Sequence, residues 1–242
     1  MRYLVISDIH GNLAALEAVL EDAPDFDELW CLGDLVGYGP RPNECIERVR
    51  EFSHTSLAGN HDWAALGKLD LNSFNRVARA ANEWTQEQLT SSARTYLSGL
   101  ATNLQEEDFT LAHASPREPV WEYIMDTKTA YQNFEHFSTA FCLVGHTHVP
   151  VYFELDEMRQ RCEVTLPPLP EPIELGPKRA IINPGSVGQP RDGDPRASYA
   201  VLDTDGMTWA FRRVAYPIQT TQAHMRAAGL PRQLVDRLDM GR

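Results

Sequence analysis

Side chains that bind transition metals follow short apolar runs at five separated points of the sequence. The first run is Leu4-Val5-Ile6, and Asp8 and His10 come directly after it. Together the five points supply Asp8, His10, Asp34, Asn60, His61, His113, His146 and His148. Imidazole, carboxylate and amide donors without a thiolate suit a pair of Mn, Fe, Zn, Co or Ni ions. They suit neither an all-oxygen calcium cage nor a structural zinc site.

The apolar runs are short and rich in branched residues, which is typical of strands covered on both faces. The carboxyl ends of parallel strands meet at one edge of a sheet, where ligands collect. We therefore expect the donors to converge there, with Asp8 and His10 on one side because alternate strand side chains point the same way. Asp-x-His alone fits a helix N-cap beside a surface histidine equally well. The recurrence of the pattern favours the metal site.

Helical spacing of apolar residues predicts helices over 12–22, with Asn12 as N-cap, and over 42–52, 69–89, 92–99 and 127–137. Ser92 is the predicted N-cap of the fourth helix. The helical segment at about 63–100 leaves directly from Gly59-Asn60-His61-Asp62, so we expect an insertion that overhangs the site. With Trp63 it is a candidate for shaping substrate access, although plain core packing remains open.

The remaining segments are predicted as loops, hairpins and short tail helices. Arg117, Trp121 and Tyr123 in the loop 114–126 could hold a phosphate and stack on a base, or the loop could simply bury aromatics. Hairpins are predicted over 151–164 and 198–214, with two short helices after 218. The prolines of 166–177 exclude a central strand. The glycines and serine of 183–188 could approach a phosphate or merely turn the chain, and Arg191 could meet substrate anions or be solvated.

Length, charge and cysteine usage limit the function classes. The chain has 242 residues, 43% of them apolar, which is enough for one large domain over 1–242. A net charge of -12 argues against broad nucleic-acid binding but not against a nucleotide substrate. No apolar run reaches the length of a membrane span, the first strand begins at the N-terminus, and the four cysteines are scattered. We expect a cytoplasmic protein without a signal peptide; homo-oligomerisation stays open.

Five short motifs occur in a recognisable order: Asp8-x-His10, Gly33-Asp34, Gly59-Asn60-His61-Asp62, His113 and Gly145-His146-x-His148. By these motifs the chain resembles the calcineurin-like metallophosphoesterases, in their small prokaryotic phosphodiesterase branch. The resemblance covers almost the whole length. It implies an α/β fold, a four-layer αββα sandwich of two mixed β-sheets flanked by helices.

The resemblance also implies a role for each motif residue. Two divalent ions would be held, one by Asp8, His10, Asp34 and His148 and the other by Asp34, Asn60, His113 and His146. Mn2+ is the first expectation, with Fe, Zn, Ni or Co as alternatives. His61 would stay off the metals and serve the leaving oxygen or a phosphate oxygen, with Asp62 orienting it. Asn12, Asn60, His61 and Arg191 are the residues expected to contact substrate.

The implied reaction is hydrolysis of a small phosphoester by a hydroxide that the two ions share, without a covalent intermediate. Two ions, the hydroxide, Asp8 and Asp34 leave a net charge of about plus one, which a monoanionic diester neutralises. A nucleotide-like phosphodiester is therefore the expected substrate, with a phosphomonoester or a dinucleoside polyphosphate as alternatives.

Particular residues argue against two further classes of function. Protein Ser/Thr phosphatases and symmetrical dinucleoside tetraphosphatases read Gly-Asp-x-x-Asp-Arg-Gly at the second motif. The segment Gly33-Asp34-Leu35-Val36-Gly37-Tyr38-Gly39 lacks that arginine, which puts both activities in doubt. A non-catalytic metal-binding scaffold is the alternative from another class, and the presence of His61 argues against it.

Overall fold

The computed structural model describes residues 1–167 and 171–242, and within these ranges it contains two six-stranded β-sheets. The first sheet has the spatial order β3 (His54–Ser56), β2 (Glu28–Cys31), β1 (Arg2–Ile6), β11 (Ala197–Asp203), β12 (Thr208–Val214) and β9 (Ile173–Glu174). The second has the order β4 (Asn103–Glu106), β5 (Phe109–Ala112), β6 (Phe141–Leu143), β10 (Ala180–Asn183), β7 (Val151–Asp156) and β8 (Arg161–Thr165).

Both sheets are mixed, with a parallel group of strands at the site. Strands β1, β2 and β3 are parallel, as are β5, β6 and β10, whereas the other pairings are antiparallel. In register, Leu4 pairs with Leu29 and Leu29 with His54. The carboxyl ends of each parallel group therefore lie at one edge of their sheet, as the apolar runs predicted.

The sheets pack face to face, and helices cover their outer faces. Val5 of the first sheet and Leu143 of the second belong to the same buried cluster, which is the layer between the sheets. Leu4 and Ile6 point the opposite way and pack against α1 (Leu13–Asp22) and α2 (Pro42–Val49). Helix α6 (Thr127–Asn133) covers the second sheet over Cys142. The predicted α/β arrangement of two mixed sheets flanked by helices is confirmed.

A further group of helices packs beside the strand ends. It consists of α3 (Asn60–Ala65), α4 (Arg76–Gln88), α5 (Ser91–Ser98), α7 (Ile218–Ala227) and α8 (Arg232–Asp236). One buried cluster joins Ala78 and Ala81 of α4 to Met225 of α7, Leu234 of α8 and the loop residue Tyr38. None of the helices in the described ranges combines the length and apolar character that a bilayer-spanning segment needs.

Four helices differ from their predicted bounds, and the first of them, predicted over 42–52, ends at Val49. The predicted 69–89 helix is interrupted: a 3-10 turn spans Leu71–Ser73, and α4 begins after Asn75, whose Oδ1 accepts from Val77 N and Ala78 N at 3.0 Å. Thr90 rather than Ser92 caps α5, accepting from Ala93 N. The predicted 127–137 helix ends at Asn133 and continues as a 3-10 turn over Phe134–His136.

The tail helices and both predicted hairpins, β7 with β8 and β11 with β12, are confirmed. Strand β4 and helix α3 were not predicted. Only the two-residue edge strand β9 lies in the described part of 166–177, in agreement with the proline argument. Pro168 and Pro170, which that argument also used, lie outside the described residues.

Candidate metal centre

Loops at the ends of both parallel groups bring the predicted donors together. Asp8 and His10 follow β1, Asp34 follows β2, and Asn60 follows β3 at the start of α3. The second sheet supplies His113 after β5, and His146 and His148 after β6. The exposed fraction of each of these side chains is at most 3%. The donors are thus gathered from both sheets into one buried centre.

The donors form two adjacent groups. In the first, His148 Nε2 lies 3.2 Å from Asp8 Oδ1 and 3.1 Å from His10 Nε2. In the second, one donor atom from each of Asp34, His113 and His146 lies within 4.8 Å of the others. Asn60 joins the second group, its Oδ1 being 3.2 Å from His113 Nε2.

Asp34 stands between the two groups. Its Oδ2 lies 3.6 Å from His10 Nε2 in the first group and 3.5 Å from His113 Nε2 in the second. Its other oxygen, Oδ1, accepts a hydrogen bond of 2.8 Å from the main-chain N–H of His61. That bond fixes the carboxylate so that Oδ2 faces both groups at once.

Three buried acceptor atoms of the centre have no hydrogen-bond partner among the described residues: Asp8 Oδ1, Asp34 Oδ2 and His146 Nε2. Buried polar atoms without a partner are costly, and native structures satisfy nearly all of them. A cation in each group would satisfy all three atoms at once. The donor set therefore fits two divalent ions, one in each group.

Main-chain carbonyls orient the imidazoles toward the centre. The Nδ1 atoms of His10, His113 and His148 lie 3.1, 2.9 and 2.6 Å from the carbonyl oxygens of Val36, Leu32 and Gln189. An Nδ1–H that donates to a carbonyl leaves the Nε2 lone pair free to bind a metal. Each of the three rings is therefore held in the tautomer that a ligand needs.

The backbone at the ligands is in the left-handed region. The φ angles are 53° at Asp8, 50° at His10, 53° at Asp34, 64° at His146 and 61° at His148. This region costs a non-glycine residue roughly 1–2 kcal/mol, so its concentration here marks a strained site. Asp8 and His10 converge through this local reversal of the chain beyond β1. The expectation that strand alternation aligns them is wrong.

The loop 183–188 braces the ligand loops of both sheets. Ser186 Oγ donates to the carbonyl of Asp8 at 2.9 Å, and the N–H of Gly188 donates to the same oxygen. Asn183 Nδ2 donates to the carbonyl of Gly145 at 2.6 Å, next to His146. Of the two roles considered for this loop, the structure favours chain turning over phosphate contact.

Burial controls the ionisation of the centre. It lowers the pKa of His148 to about 4 and that of His61 to about 3, so both rings are neutral at neutral pH. Burial raises the pKa of Asp34, and the neighbouring carboxylates of Asp62 and Asp8 raise it further. Ionised carboxylates are thus unfavourable this close together among neutral imidazoles, and divalent cations would stabilise their charged form.

Comparison with known proteins agrees with this geometry. The calcineurin-like phosphoesterase superfamily domain matches residues 1–207. The chain belongs to this superfamily. It is a hydrolase of phosphoesters, and each of its two buried donor groups could hold a metal ion.

Individual relatives match over most of their length. A solved metallophosphoesterase from Sphaerobacter thermophilus is 51% identical, with a TM-score of 0.92 over 100% of this chain and 99% of that one. An uncharacterized protein of Methanocaldococcus jannaschii is 37% identical over 245 residues, 98% of this chain and 97% of that protein. Phosphodiesterase YfcE of Escherichia coli is 28% identical over 218 residues, 85% of this chain and 89% of its own.

His61 of the phosphoesterase lies beside the metal groups without joining either. Its ring is 4.9 Å from that of His10 and 4.3 Å from that of Tyr38. Its Nδ1 lies 3.0 Å from Oδ1 of Asn82, a fully buried residue of α4. A Cβ at Gly37 would come within 2.7 Å of the same Nδ1. A glycine at position 37 therefore leaves room for the contact between His61 and α4.

The prediction that Asp62 orients His61 is wrong. Asp62 Oδ1 accepts from Val36 N at 3.1 Å, and its Oδ2 accepts from Gly59 N at 2.9 Å. Asp62 is at the third position of α3, where a carboxylate reaches back to free N–H groups at the helix start. The N–H groups of Val36 and Gly59 occupy the Asp62 carboxylate, and Asn82 contacts the His61 imidazole instead.

That Asn12 contacts substrate stays a prediction, because the structure shows only its contacts with the protein. Asn12 Oδ1 caps α1 at Ala15 N and accepts from Thr221 Oγ1 at 2.9 Å, while its Nδ2 donates to the carbonyl of Gly188. Its exposed fraction is 2%, and both ends of the amide are engaged. Asn12 therefore joins α1 to α7 and to the bracing loop.

Of the other candidates, Arg191 and Tyr123 face the centre and Arg117 does not. The guanidinium of Arg191 has no ion pair in the described ranges and lowers the pKa of nearby His148, adding to the effect of burial. Tyr123 stacks on His146 with ring centroids 4.0 Å apart. Arg117 forms an ion pair with Glu122. The guanidinium that was considered as a phosphate ligand is therefore already paired with a carboxylate.

Sequence reasoning missed Asn82 and Tyr38. Asn82 is a buried amide on the face of α4 that also carries Ala78, Ala81 and Thr85, and a buried polar position of this kind was a usable signal. Tyr38 had no comparable signal, because its place between His10 and His61 depends on a loop with a left-handed φ of 56°.

Proposed function

We propose that this phosphoesterase is a binuclear-metal phosphodiesterase that hydrolyses a small, nucleotide-like phosphodiester. The observation that carries the proposal is the orientation of Asp34, whose unpartnered Oδ2 faces both donor groups. A carboxylate in that position suits a bridge between two ions. The name of the YfcE relative, a phosphodiesterase, supports the ester class.

The ligand assignment follows the two groups. Asp8, His10, Asp34 and His148 would hold one ion, and Asp34, Asn60, His113 and His146 the other. Nitrogen and oxygen donors without thiolate favour Mn2+ first, with Fe, Zn, Ni or Co as alternatives. When bound, two such ions clamp a phosphoryl group and lower the pKa of a bound water to about 7.

His61 would assist the departure of the leaving oxygen. The ring is neutral at neutral pH, since burial lowers its pKa to about 3. Asn82 Nδ2 has no partner in the present amide orientation, and rotation of the amide would let it donate to His61 Nδ1. Nε2 of His61 then carries an N–H group that would donate a hydrogen bond to the leaving oxygen or to a phosphate oxygen as negative charge develops there.

The segment 63–100 belongs to the same proposed domain, 1–242, and would shape access to the centre. Its helix α4 supplies Asn82 to His61, and Phe74, just before α4, lies 5.2 Å from the His61 ring. Trp121 of the loop 114–126 packs on Phe74 at 5.0 Å. These contacts support an aromatic wall on the His61 side of the substrate.

A phosphomonoesterase is the second candidate, and Arg191 is the residue that favours it. With two ions bound, the centre would carry a net charge of about plus one. The guanidinium of Arg191, which lies near His148, would add a second positive charge. A dianionic monoester would then be balanced as well as a diester. The proposed phosphodiesterase and this candidate differ in the ester they prefer.

Chromogenic substrates test the proposal directly. The protein is loaded in turn with Mn2+, Ni2+, Co2+, Fe2+ and Zn2+ and assayed with bis(p-nitrophenyl) phosphate, p-nitrophenyl phenylphosphonate and p-nitrophenyl phosphate. We expect higher kcat/KM for the two diester-type substrates. Faster turnover of the monoester would favour the second candidate, and no turnover with any metal would contradict both.

His61→Ala tests the proposed role of His61. We expect turnover to fall by about 10²–10³-fold, the usual contribution of one hydrogen-bond donor to developing negative charge, with metal content per chain unchanged. His224→Ala is the matched control, because His224 is exposed on α7. An active His61→Ala protein would remove His61 from the mechanism, and lost metal would mean that it supports the ligands instead.

A further inference from the structure

Arg191 is a half-buried cation beside the metal centre. Its main-chain N–H donates to the carbonyl of His148 at 3.3 Å. Its Cζ lies 6.0 Å from the centroid of the Tyr38 ring, which in turn lies 4.6 Å from the ring of His10. Burial is the main cause of the low pKa values of His61 and His148, and the positive charge of Arg191 lowers both further. The contacts and the charge effects agree on the place of this side chain.

The guanidinium of Arg191 is held by an amide and not by a carboxylate. Its Nη2 donates to Oε1 of Gln189 at 3.1 Å. The carboxylate next to it in sequence, Asp192, forms an ion pair with Arg213 instead. A neutral amide oxygen leaves the net positive charge of the guanidinium in place, whereas a carboxylate would offset it. The charge of Arg191 therefore stays available to an anion.

Gln189 is itself fixed to the loops that carry the predicted ligands. Its exposed fraction is 1%. Its main-chain N–H donates to Ser186 Oγ at 2.8 Å, and its carbonyl oxygen lies 2.6 Å from Nδ1 of His148. Ser186 Oγ in turn donates to the carbonyl of Asp8 at 2.9 Å. The side chain of Gln189 therefore extends from a main chain whose place relative to both loops is fixed.

The orientation of the Gln189 amide follows from its partner. A guanidinium carries only N–H donors, so Gln189 must turn its oxygen toward Arg191. The contact uses Nη2, and the other nitrogens of the guanidinium also carry donors. The buried Nε of Arg191 has no hydrogen-bond partner among the described residues. An oxygen of an anion would supply the acceptor that this atom lacks.

We propose that Gln189 is a positioning residue, which holds the guanidinium of Arg191 in place to bind a phosphoryl oxygen of the substrate. The inference rests on the proposed function and adds how its substrate-binding cation is held. An arginine side chain that is mobile loses conformational freedom when it binds an anion, and one that is already held loses less. Gln189 therefore acts on the affinity for the phosphoryl group, through Arg191, and has little effect on the chemical step.

A double-mutant cycle tests whether Gln189 acts through Arg191. Gln189→Met removes the amide and keeps the length of the side chain, and Arg191→Met removes the cation. With Mn2+-loaded protein and bis(p-nitrophenyl) phosphate, we expect Gln189→Met to raise KM by about threefold to tenfold, the effect of one side chain that must be ordered on binding. The value of kcat should change by less than about twofold, because binding is affected equally before and during the reaction.

The double variant gives the decisive comparison. Arg191→Met should raise KM more than Gln189→Met does, and adding Gln189→Met to it should have no further effect, because the group that Gln189 positions is absent. Effects that multiply would show that Gln189 acts independently of Arg191 and would overturn the proposal. Gln222→Met is the matched control, because it removes another buried glutamine amide, whose Nε2 donates to the carbonyl of Val235. It should leave KM and kcat unchanged, and circular dichroism verifies the folding of each variant.

A binding measurement separates this inference from the proposed function. Calorimetry with inorganic phosphate on the Mn2+-loaded proteins repeats the same cycle without any turnover. We expect Gln189→Met to weaken phosphate binding by about threefold to tenfold, with no further loss when Arg191→Met is already present. Metal content per chain should be unchanged, and its loss in Gln189→Met would refute the proposal by showing that the residue supports His148 instead. If the diester is not hydrolysed, the proposed function fails while the phosphate affinities still decide the role of Gln189. Equal affinities in the wild-type protein and Gln189→Met would refute that role.

Discussion

Single buried side chains decide how His61 is presented to the substrate. The ring has no carboxylate partner among the described residues, because Asp62 is occupied by the N–H groups of Val36 and Gly59. An amide, Asn82, lies 3.0 Å from its Nδ1. An amide fixes the ring without adding a negative charge that would favour the imidazolium, and a neutral ring is consistent with its low pKa.

At the residue scale, we predict that Asn82→Ala lowers kcat by about tenfold to a hundredfold, part of what a positioned hydrogen-bond donor contributes. The ring would lose its partner at Nδ1 and rotate, while the metal ligands stay in place. Steady-state kinetics with bis(p-nitrophenyl) phosphate measure kcat and KM, and metal analysis accompanies them. Glu83→Ala is the control, since Glu83 is the next residue of α4 and forms a surface ion pair with Arg79. An unchanged kcat in Asn82→Ala would mean that packing alone orients His61.

Among the elements, the loop 114–126 shows how a segment without regular structure is held at the centre. Glu122 Oε2 accepts from Ser115 Oγ and Asn133 Nδ2 at 2.8 Å each, and Arg117 pairs with the same carboxylate. Burial alone would raise the pKa of Glu122, but these donors lower it to about 2. The anchored loop presents Tyr123 to His146.

At the element scale, we predict that Glu122→Gln lowers the free energy of unfolding at neutral pH by about 1–2 kcal/mol, because its folded-state pKa of about 2 lies below the ordinary value and solvent screens part of the effect. The folded-state pKa is lower than the ordinary value, so the ionised group stabilises the fold above about pH 4.5. That stabilisation is lost as the pH falls through about 2. Denaturant unfolding from neutral to acidic pH measures the difference between the two proteins.

The matched control for this loop is Glu118→Gln. Glu118 is exposed in the same loop and, within the described ranges, has no ion pair. We expect it to change the free energy of unfolding by less than about 0.5 kcal/mol, as is usual for surface positions. A stability difference for Glu122→Gln that did not shrink on acidification would show that its carboxylate is not the source.

At the scale of the whole molecule, the metal centre lies across the junction of the two sheets. One sheet supplies Asp8, His10, Asp34 and Asn60, and the other supplies His113, His146 and His148. The loop 183–188 links the same two regions through hydrogen bonds to Asp8 and Gly145. Ions held by both sheets would therefore stabilise the packing of one sheet on the other.

We predict that Mn2+ raises the melting temperature in a concentration-dependent manner. A ligand at a hundred times its Kd stabilises the native state by about 2.7 kcal/mol per site, or several degrees for a chain of this size. Thermal unfolding with increasing Mn2+, and then with a chelator, measures the effect. Asp34→Asn should lose most of it, because Asp34 Oδ2 faces both groups. Absence of a shift in the wild-type protein would contradict metal binding at this centre.

The sequence by itself determined the candidate metal-binding side chains and the sheet edges that carry them. An apolar run that ends at metal-binding side chains is a local feature of the sequence. Strands that are apolar on both faces are typical of parallel sheets, in which the carboxyl ends of the strands converge. For this reason the donors from Asp8 to His148 were identified before any contact was known, and the two mixed sheets followed from the family resemblance.

Only the tertiary structure decided how the residues around those ligands are used. Asn82 and Tyr38 are distant in sequence and meet at His61 because α4 packs there. Asp62 and Asn12 carry polar groups of the kind that contact a catalytic histidine or a substrate. In the folded protein, each accepts a hydrogen bond from a main-chain N–H at the start of a helix. Competition among hydrogen-bond partners and packing at long sequence separation depend on the complete fold, which is why local patterns could not assign these roles.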